Sequence, residues 1–598
     1  MSLSSLNRRN TFQSFKHTQY DLVIIGAGIT GAGIALDAVS RGMKVALLDK
    51  NDFAFGASSR STKMVHGGLR YLQKFQLKNV SKSGKERAVM YENGPHVISK
   101  EKMLLPIRKG GSHGKWTTSL GLKLYDYLAG VKEDERRKML SVKETLEQVP
   151  VIREEGLRGA GEYMEYFADD SRMTLEILKK AVELGADCLN YAEVIGFNRD
   201  PRGYLEAVLV KDRSTKNTYI VEGSVILNAT GIWSKEITEL ENDRNFQDPE
   251  IPIFVKGAHV VFDQKDFPLA DVILFETGID KKKVFAIPHQ GKTYLGASYS
   301  NYEGNRNMPT ISVSDQYFLL EAANKMFPKL QLTPEMIESS WAGLTIAEDA
   351  QSKVKKPLLE TSGNGLLTVT TGKLTGYREL AEAVVDEVAS KLKADKNQSF
   401  EPCKTANLPF SGADFGGSKQ FPAFMVEATE RGLAANLTED EARYLARKYG
   451  SNVDELYAIA GKASPDEMNG LPLVLYVQLL YGLQSEGIMT PSDFFIRRTG
   501  ALYFDIESVK THHINVVKLM ARYFSWSIEE VKSHNSELEQ ALYYATHRVE
   551  DDRIVKLEQA EKGKNKSEEG NSLAGNTSEK PLENVSVNAD SDKTDYKK

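Results

Sequence analysis

An α/β protein (α+β overall) in three parts follows from three observations on the sequence. Asp21–Gly33 reads DLVIIGAGITGAG and is followed by Val45-Ala46-Leu47-Leu48-Asp49, the strand, glycine turn, helix, strand and acid of a Rossmann-type nucleotide-binding domain. Residues 251–300 alternate apolar and polar positions (AHVVF, KVFAIP, KTYLGASY), which predicts a separate antiparallel sheet. Beyond about Glu401, helical patterns such as Glu439–Tyr449 and Val474–Leu483 run through Thr546 and predict an appended helical domain.

In the first part, Leu22-Val23-Ile24-Ile25 is short, apolar and β-branched, as a buried parallel strand requires. Gly26 allows the tight turn, Gly28 lets backbone approach a pyrophosphate, and Gly31 lets the helix Ala32–Ser40 pack closely on the strand. Asp49 stands 18 residues after Gly31, placed to accept a hydrogen bond from a ribose hydroxyl. An acid there disfavours a phosphorylated ribose, which leaves FAD or NAD.

The segment Ser58-Ser59-Arg60-Ser61-Thr62-Lys63-Met64-Val65-His66-Gly67-Gly68-Leu69-Arg70-Tyr71-Leu72 is too polar for a core and too specific for a linker. Hydroxyls, backbone N–H groups and cations hold phosphate, and His66 adds a group that moves a proton near neutral pH. A nicotinamide domain would continue with alternating βα units. Here the chain returns only at Ser224–Gly231, an apolar strand ending in Ala229-Thr230-Gly231, so FAD is the expected cofactor. A further strand, Leu366–Val369, leads into Gly372-Lys373-Leu374-Thr375 and a helix over Glu379–Leu392, a second anion-ready turn. Val80–Glu92 reads as a helix stopped by Asn93-Gly94-Pro95, and Asp170–Leu184 as another capped by Asp169 or Asp170. Asp200-Pro201-Arg202-Gly203 is a turn, and the glycine-rich loop Gly110–Gly114 carries no assigned chemistry.

With 598 residues, two or three domains are expected. Lys+Arg 77 against Asp+Glu 82 leaves a net charge of −5 without a basic stripe, which disfavours nucleic-acid binding. Cys188 and Cys403 lie far apart and the ten histidines are scattered, so neither a disulfide framework nor a metal site is expected. No apolar run approaches the about 18 residues that span a bilayer. The polar first twenty residues, with Arg8, Arg9 and Lys16, lack a signal-peptide core, so a cytoplasmic location is expected. The boundaries read as a flexible arm over 1–19 and a discontinuous FAD-binding domain over 20–400. A substrate-capping domain is inserted at about 80–165 and 245–345. A helical domain covers 401–552, and a disordered tail covers 553–598, where Lys562–Lys598 is nearly free of large apolar residues.

From Tyr20 to Thr546 the chain resembles the FAD-dependent glycerol-3-phosphate dehydrogenase/oxidase family, in particular the Bacillus-type aerobic dehydrogenases. The resemblance rests on GAGITGAGIALDA, SSRSTKMVHGGLRYL, GVKEDERRKMLSVKETL, SSWAGL, GKLTGYRELAE and TPSDFFIRRTGALYFDI. It implies hydride transfer from C2 of sn-glycerol 3-phosphate to flavin, giving dihydroxyacetone phosphate, with electrons passed to membrane quinone or, in the oxidase branch, to oxygen. It further implies His66 as the base and Arg70, Tyr71 and Lys373 as phosphate holders. Dimers and a peripheral contact at the inner face of the membrane are likewise implied. The oxidase branch is expected to carry an interior insertion, and none is seen here, which leans towards a dehydrogenase.

The sequence departs from the family pattern where substrate is expected. Phe167 stands where an arginine follows Tyr166, and Pro288-His289 replaces Pro-Arg. Gly296-Ala297-Ser298-Tyr299-Ser300 replaces Gly-Thr-Thr-Asp-Thr, and Gly343-Leu344-Thr345-Ile346-Ala347 replaces Gly-Leu-Arg-Pro-Leu. The alternative expectation is therefore a substrate-shifted or catalytically impaired flavoprotein.

Overall fold

A computed structural model describes residues 3–65, 77–111, 119, 121–124, 135–241, 253–278, 282–347, 359–369 and 374–550. Met1–Val549 form one compact unit. The tail expected to be disordered, 553–598, lies outside the described residues.

The nucleotide sheet centres on Tyr20–Ile25, which pairs in parallel with Val45–Leu48 on one side and Thr218–Asn228 on the other. Asp187–Leu189 and Leu367–Val369 extend it in parallel, and Leu359–Thr361 adds an antiparallel edge. The central strand is buried at Leu22, Val23 and Ile24, as an all-apolar run demands. Because Ile25 pairs with both Leu48 and Asn228, the residues that follow each strand emerge at one end of the sheet. That end carries Gly26, Asp49 and Ala229. Ligands bind open α/β sheets at such a point.

The cap sheet runs, in order, Ile337–Ile346, Phe254–Asp263, Lys292–Tyr302, Lys283–His289, Val272–Glu276, Ile98–Arg108, Leu157–Ala168 and Met64–Val65. It was expected to be antiparallel. The strands between Phe254 and Tyr302 pair antiparallel with one another, and one further pairing, Val272–Glu276 with Ile98–Arg108, is parallel.

The helical domain packs on this sheet. Glu439–Tyr449 begins at a capping box of Thr438 and Glu441, and Ile528–Thr546 at one of Ser527 and Glu530. Ser339 and Ser340 of the cap sheet donate hydroxyls to the carbonyls of Tyr503 and Ala545. Buried charges then tie the helical domain to the nucleotide domain. Asp52 accepts from Arg497 at 2.5 Å and from Arg498 at 2.7 and 2.8 Å. Arg172 likewise bridges Glu176 and Glu486. Removing one partner of such a group costs about 3–5 kcal/mol, because the other charge stays buried.

Residues 8–15, expected within a flexible arm, form the helix Arg8–Phe15 instead. Phe12 stacks on Tyr219 with ring centroids 4.3 Å apart, and Phe12 and Phe15 are buried. Arg8 pairs with Asp212 at 3.2 Å. Apolar burial on a strand two hundred residues away holds what local propensity alone would not.

Candidate active site

Three backbone contacts assemble a cradle at the switch point. Gly26 has φ +105°, and a Cβ there would stand 2.7 Å from the Ala229 carbonyl oxygen. A Cβ on Gly31 would meet the Gly26 oxygen at 1.9 Å, so the helix Ile29–Ser40 seats against the turn only with glycine there. The Ala27 N–H donates to Asp49 Oδ2 at 2.7 Å, and the Asn51 N–H to Asp49 Oδ1 at 2.8 Å. Burial pushes the Asp49 carboxyl up to about 6, against the pull of those two donors.

The Ser58 hydroxyl accepts from the Ile29 N–H at 2.9 Å and lies 3.0 Å from where a Cβ on Gly28 would sit. Thr230 turns back on Asn228, its hydroxyl donating to Oδ1 at 2.7 Å, and Gly231 has φ +61°. Leu374 and Thr375 lie in a turn before the helix Tyr377–Lys396, whose Tyr377 ring fills the space beside Gly33. Glycine backbone, hydroxyls, a helix N-terminus and one half-buried carboxylate fit a dinucleotide with an unphosphorylated ribose.

From Ser59 onward the segment leaves the cradle for the cap. Ser59 is buried, and Arg60 donates to the Asn307 carbonyl at 3.3 Å. Ser61 and Lys63 both bond Asp170, the ammonium at 2.5 Å. Lys63 thus holds the start of the helix Asp170–Glu183, and Asp169 is that helix's cap. Thr62 Oγ1 shares a 3.0 Å hydrogen bond with His259 Nε2, and the Thr62 carbonyl accepts from the Tyr294 hydroxyl.

His259 escaped the sequence reading, where it was one polar position in an alternating strand. It stacks on Trp341 with ring planes 9° apart, and its Nδ1 has no hydrogen-bond partner among the described residues. Burial, helped by Lys63, lowers its pKa to about 3, so the ring is neutral at physiological pH. Cross-strand register puts Trp341, His259 and Gly296 in one row and Gly343, Gly257 and Tyr299 two rows further along.

Two of the departures from the family pattern meet in space. Phe167 stacks on His289 at 4.6 Å, and Phe504 closes the edge of the imidazole at 4.7 Å. Burial lowers the His289 pKa to about 3, so this pair carries no charge. Tyr299 and Thr345 are exposed on the cap sheet. His66, Gly67, Gly68, Arg70, Tyr71, Gly372 and Lys373 lie outside the described residues.

Fold and cradle together define an FAD-dependent oxidoreductase. The family described as FAD dependent oxidoreductase matches residues 21–378, and the C-terminal domain of alpha-glycerophosphate oxidase matches 403–531. The aerobic glycerol-3-phosphate dehydrogenase of Staphylococcus aureus is 45% identical over 552 residues, 92% of this chain and 98% of that protein. The solved glycerol-3-phosphate dehydrogenase of Bacillus halodurans, complexed with FAD, aligns with a TM-score of 0.79 at 40% identity over 92% of this chain and 99% of its own. L-alpha-glycerophosphate oxidase of Mycoplasma pneumoniae shares the fold, with a TM-score of 0.51 at 17% identity over 65% of this chain and 97% of its own. The chain belongs to the glycerol-3-phosphate dehydrogenase family of FAD-dependent oxidoreductases.

Proposed function

We propose that this chain oxidises sn-glycerol 3-phosphate to dihydroxyacetone phosphate. The observation that carries the reading is 45% identity to an aerobic glycerol-3-phosphate dehydrogenase across 98% of that protein's length. When bound, FAD supplies the hydride acceptor. The protein's task is to hold both partners and to take the proton of the C2 hydroxyl.

Gly26, Gly28, Asp49, Ser58, Ser59, the Ala229-Thr230-Gly231 turn, Leu374 and Thr375 would hold the dinucleotide. Arg60, Ser61 and Lys63 brace the same segment against Asn307 and Asp170. His66 would take the substrate proton, with Arg70, Tyr71 and Lys373 on the phosphate. His259 acts through Thr62: its bond fixes the hydroxyl at the junction of cradle and cap. Electrons then pass to membrane quinone by peripheral contact, with oxygen as the alternative acceptor and a homodimer as the working assembly. Among the described residues no helix is long and apolar enough to cross a membrane.

A second reading, a shifted substrate or an impaired flavoprotein, is favoured by the Phe167–His289 stack. Where the family pattern has cations, this chain has a neutral aromatic pair. A hydrogen bond to a charged group is worth about 1.5–3 kcal/mol, so each lost cation weakens phosphate binding roughly ten- to a hundredfold. Steady-state turnover of the flavin-loaded protein with a soluble acceptor tests the choice. Dihydroxyacetone phosphate formed from sn-glycerol 3-phosphate supports the first reading; turnover of unphosphorylated polyols alone supports the second.

A further inference from the structure

At the ends of interior strands of the cap sheet, away from the nucleotide, lies a cavity that none of this chemistry uses. Four separate stretches wall it: the end of Ile98–Arg108 with Lys109–Gly111, the turn at Arg153, the Glu276–Lys283 ends of two strands, and the close of the helix Val313–Met326. It holds about 270 Å³, room for a phosphate-sized group. Ile98, at the other end of its strand, pairs with Ala168, whose N–H bonds the Lys63 carbonyl. Ten further steps of about 3.3 Å place Arg108 roughly 30 Å from the flavin-side segment.

Arg108, Lys109, Arg153, Lys283 and Lys325 line the cavity against one carboxylate, Glu276. Lys283 stands across the ladder from Glu276, and Lys325 pairs with Glu321 at 2.6 Å. The side chains of Lys109 and Arg153 have no hydrogen bond or ion pair among the described residues. Arg108 donates Nη1 to the Arg153 carbonyl at 2.7 Å and Nη2 to the Glu155 carbonyl. These acceptors are neutral, so they fix the guanidinium without cancelling its charge. Burial and the neighbouring Arg153 both lower the Arg108 pKa, with Glu155 pulling the other way.

Among the described residues Glu276 is the one carboxylate in the lining and Glu155 acts on Arg108 from outside it, so two guanidiniums and an ammonium leave positive charge in excess, a demand that a doubly charged oxyanion meets best. Gly110 and Gly111 keep the floor free of side chains, and φ +79° at Gly110 makes the turn that presents Lys109.

We propose that this cavity is a second anion site, binding a phosphate group through Arg153, Lys109 and Arg108, independently of the flavin side. The group is either free phosphate or the phosphate of a lipid headgroup. The test uses the full-length, flavin-loaded protein and the double variant Arg153→Gln with Lys109→Gln, both exposed positions. Calorimetry with inorganic phosphate reads the first source. Cosedimentation with phosphatidylcholine vesicles, with and without phosphatidylglycerol, reads the second.

Saturable binding that the double variant weakens by about tenfold or more supports the site. Loss in the phosphate arm alone identifies a free anion, and loss in the anionic-vesicle arm identifies a headgroup. Binding of neither probe by the unaltered protein overturns the proposal. So does binding that the double variant retains in full, because phosphate then sits on the flavin side. Turnover with sn-glycerol 3-phosphate is unchanged in the double variant, which keeps this outcome separate from that of the proposed reaction.

Discussion

The nucleotide cradle and the cap-sheet wall meet at Thr62, yet they are built differently. The cradle is made of backbone: Gly26 against Ala229, Gly31 against Gly26, and Asp49 caught by two amides. The wall is made of side chains, with Trp341, His259, Phe167, His289 and Phe504 stacked from strands and a helix far apart in the chain. Backbone geometry tolerates few replacements, so the cradle keeps its cofactor. Side-chain walls change charge without changing fold, and here two positions that carry cations in the family pattern form a neutral stack.

The largest effect is expected in the cradle. Gly26→Ala places a methyl 2.7 Å from the Ala229 oxygen at φ +105°, where side chains are strained. The purified variant should be colourless, its FAD affinity reduced by more than about a hundredfold, with far-UV circular dichroism retained. Flavin bound as tightly as in the unaltered protein would break the account of the cradle.

On the wall, Thr345→Arg restores the cation of the family pattern at an exposed position. KM for sn-glycerol 3-phosphate should fall by about tenfold or more, with kcat little changed. An unchanged KM means that the phosphate does not reach this strand.

At the junction, His259→Phe keeps a ring over Trp341 but removes the nitrogen bonded to Thr62. FAD titration of the apoprotein should show affinity reduced by about tenfold, with KM for substrate kept. A change in KM without a change in FAD affinity would mean that the His259–Thr62 bond serves the wall alone and does not steady the cradle.

Legibility follows the same division. Gly26, Gly28, Gly31 and Asp49 were readable because turn chemistry and strand periodicity act within thirty contiguous residues. The helix Asp170–Glu183 and its choice of Asp169 or Asp170 as cap were readable for the same reason, with contact deciding between the two. His259 was not readable, because its meaning comes from Thr62, 197 residues away, and from strand register with Trp341. Phe12 and Phe15 sat in a short polar stretch, and only Tyr219 and the core around it explain why that stretch is ordered. The ion cluster of Asp52 with Arg497 and Arg498 spans more than four hundred residues and leaves no local mark.

The pH dependence of the wall reads stability rather than binding. His259 and His289 are neutral when folded, down to about pH 3, but take a proton near pH 6.5 when unfolded. The unfolded chain therefore binds more protons between those values, and stability falls as pH is lowered through that window. Each ring contributes about 1.4 kcal/mol per pH unit. Denaturant midpoints from pH 7 to 5 should fall less steeply for His259→Phe than for the unaltered protein; equal slopes would mean that the buried imidazole does not govern the acid limb.

An anaerobic titration of the flavin-loaded protein with sn-glycerol 3-phosphate tests the central claim most directly. The account predicts bleaching of the flavin absorbance with one dihydroxyacetone phosphate formed per flavin reduced. A flavin that stays oxidised at saturating sn-glycerol 3-phosphate would contradict it.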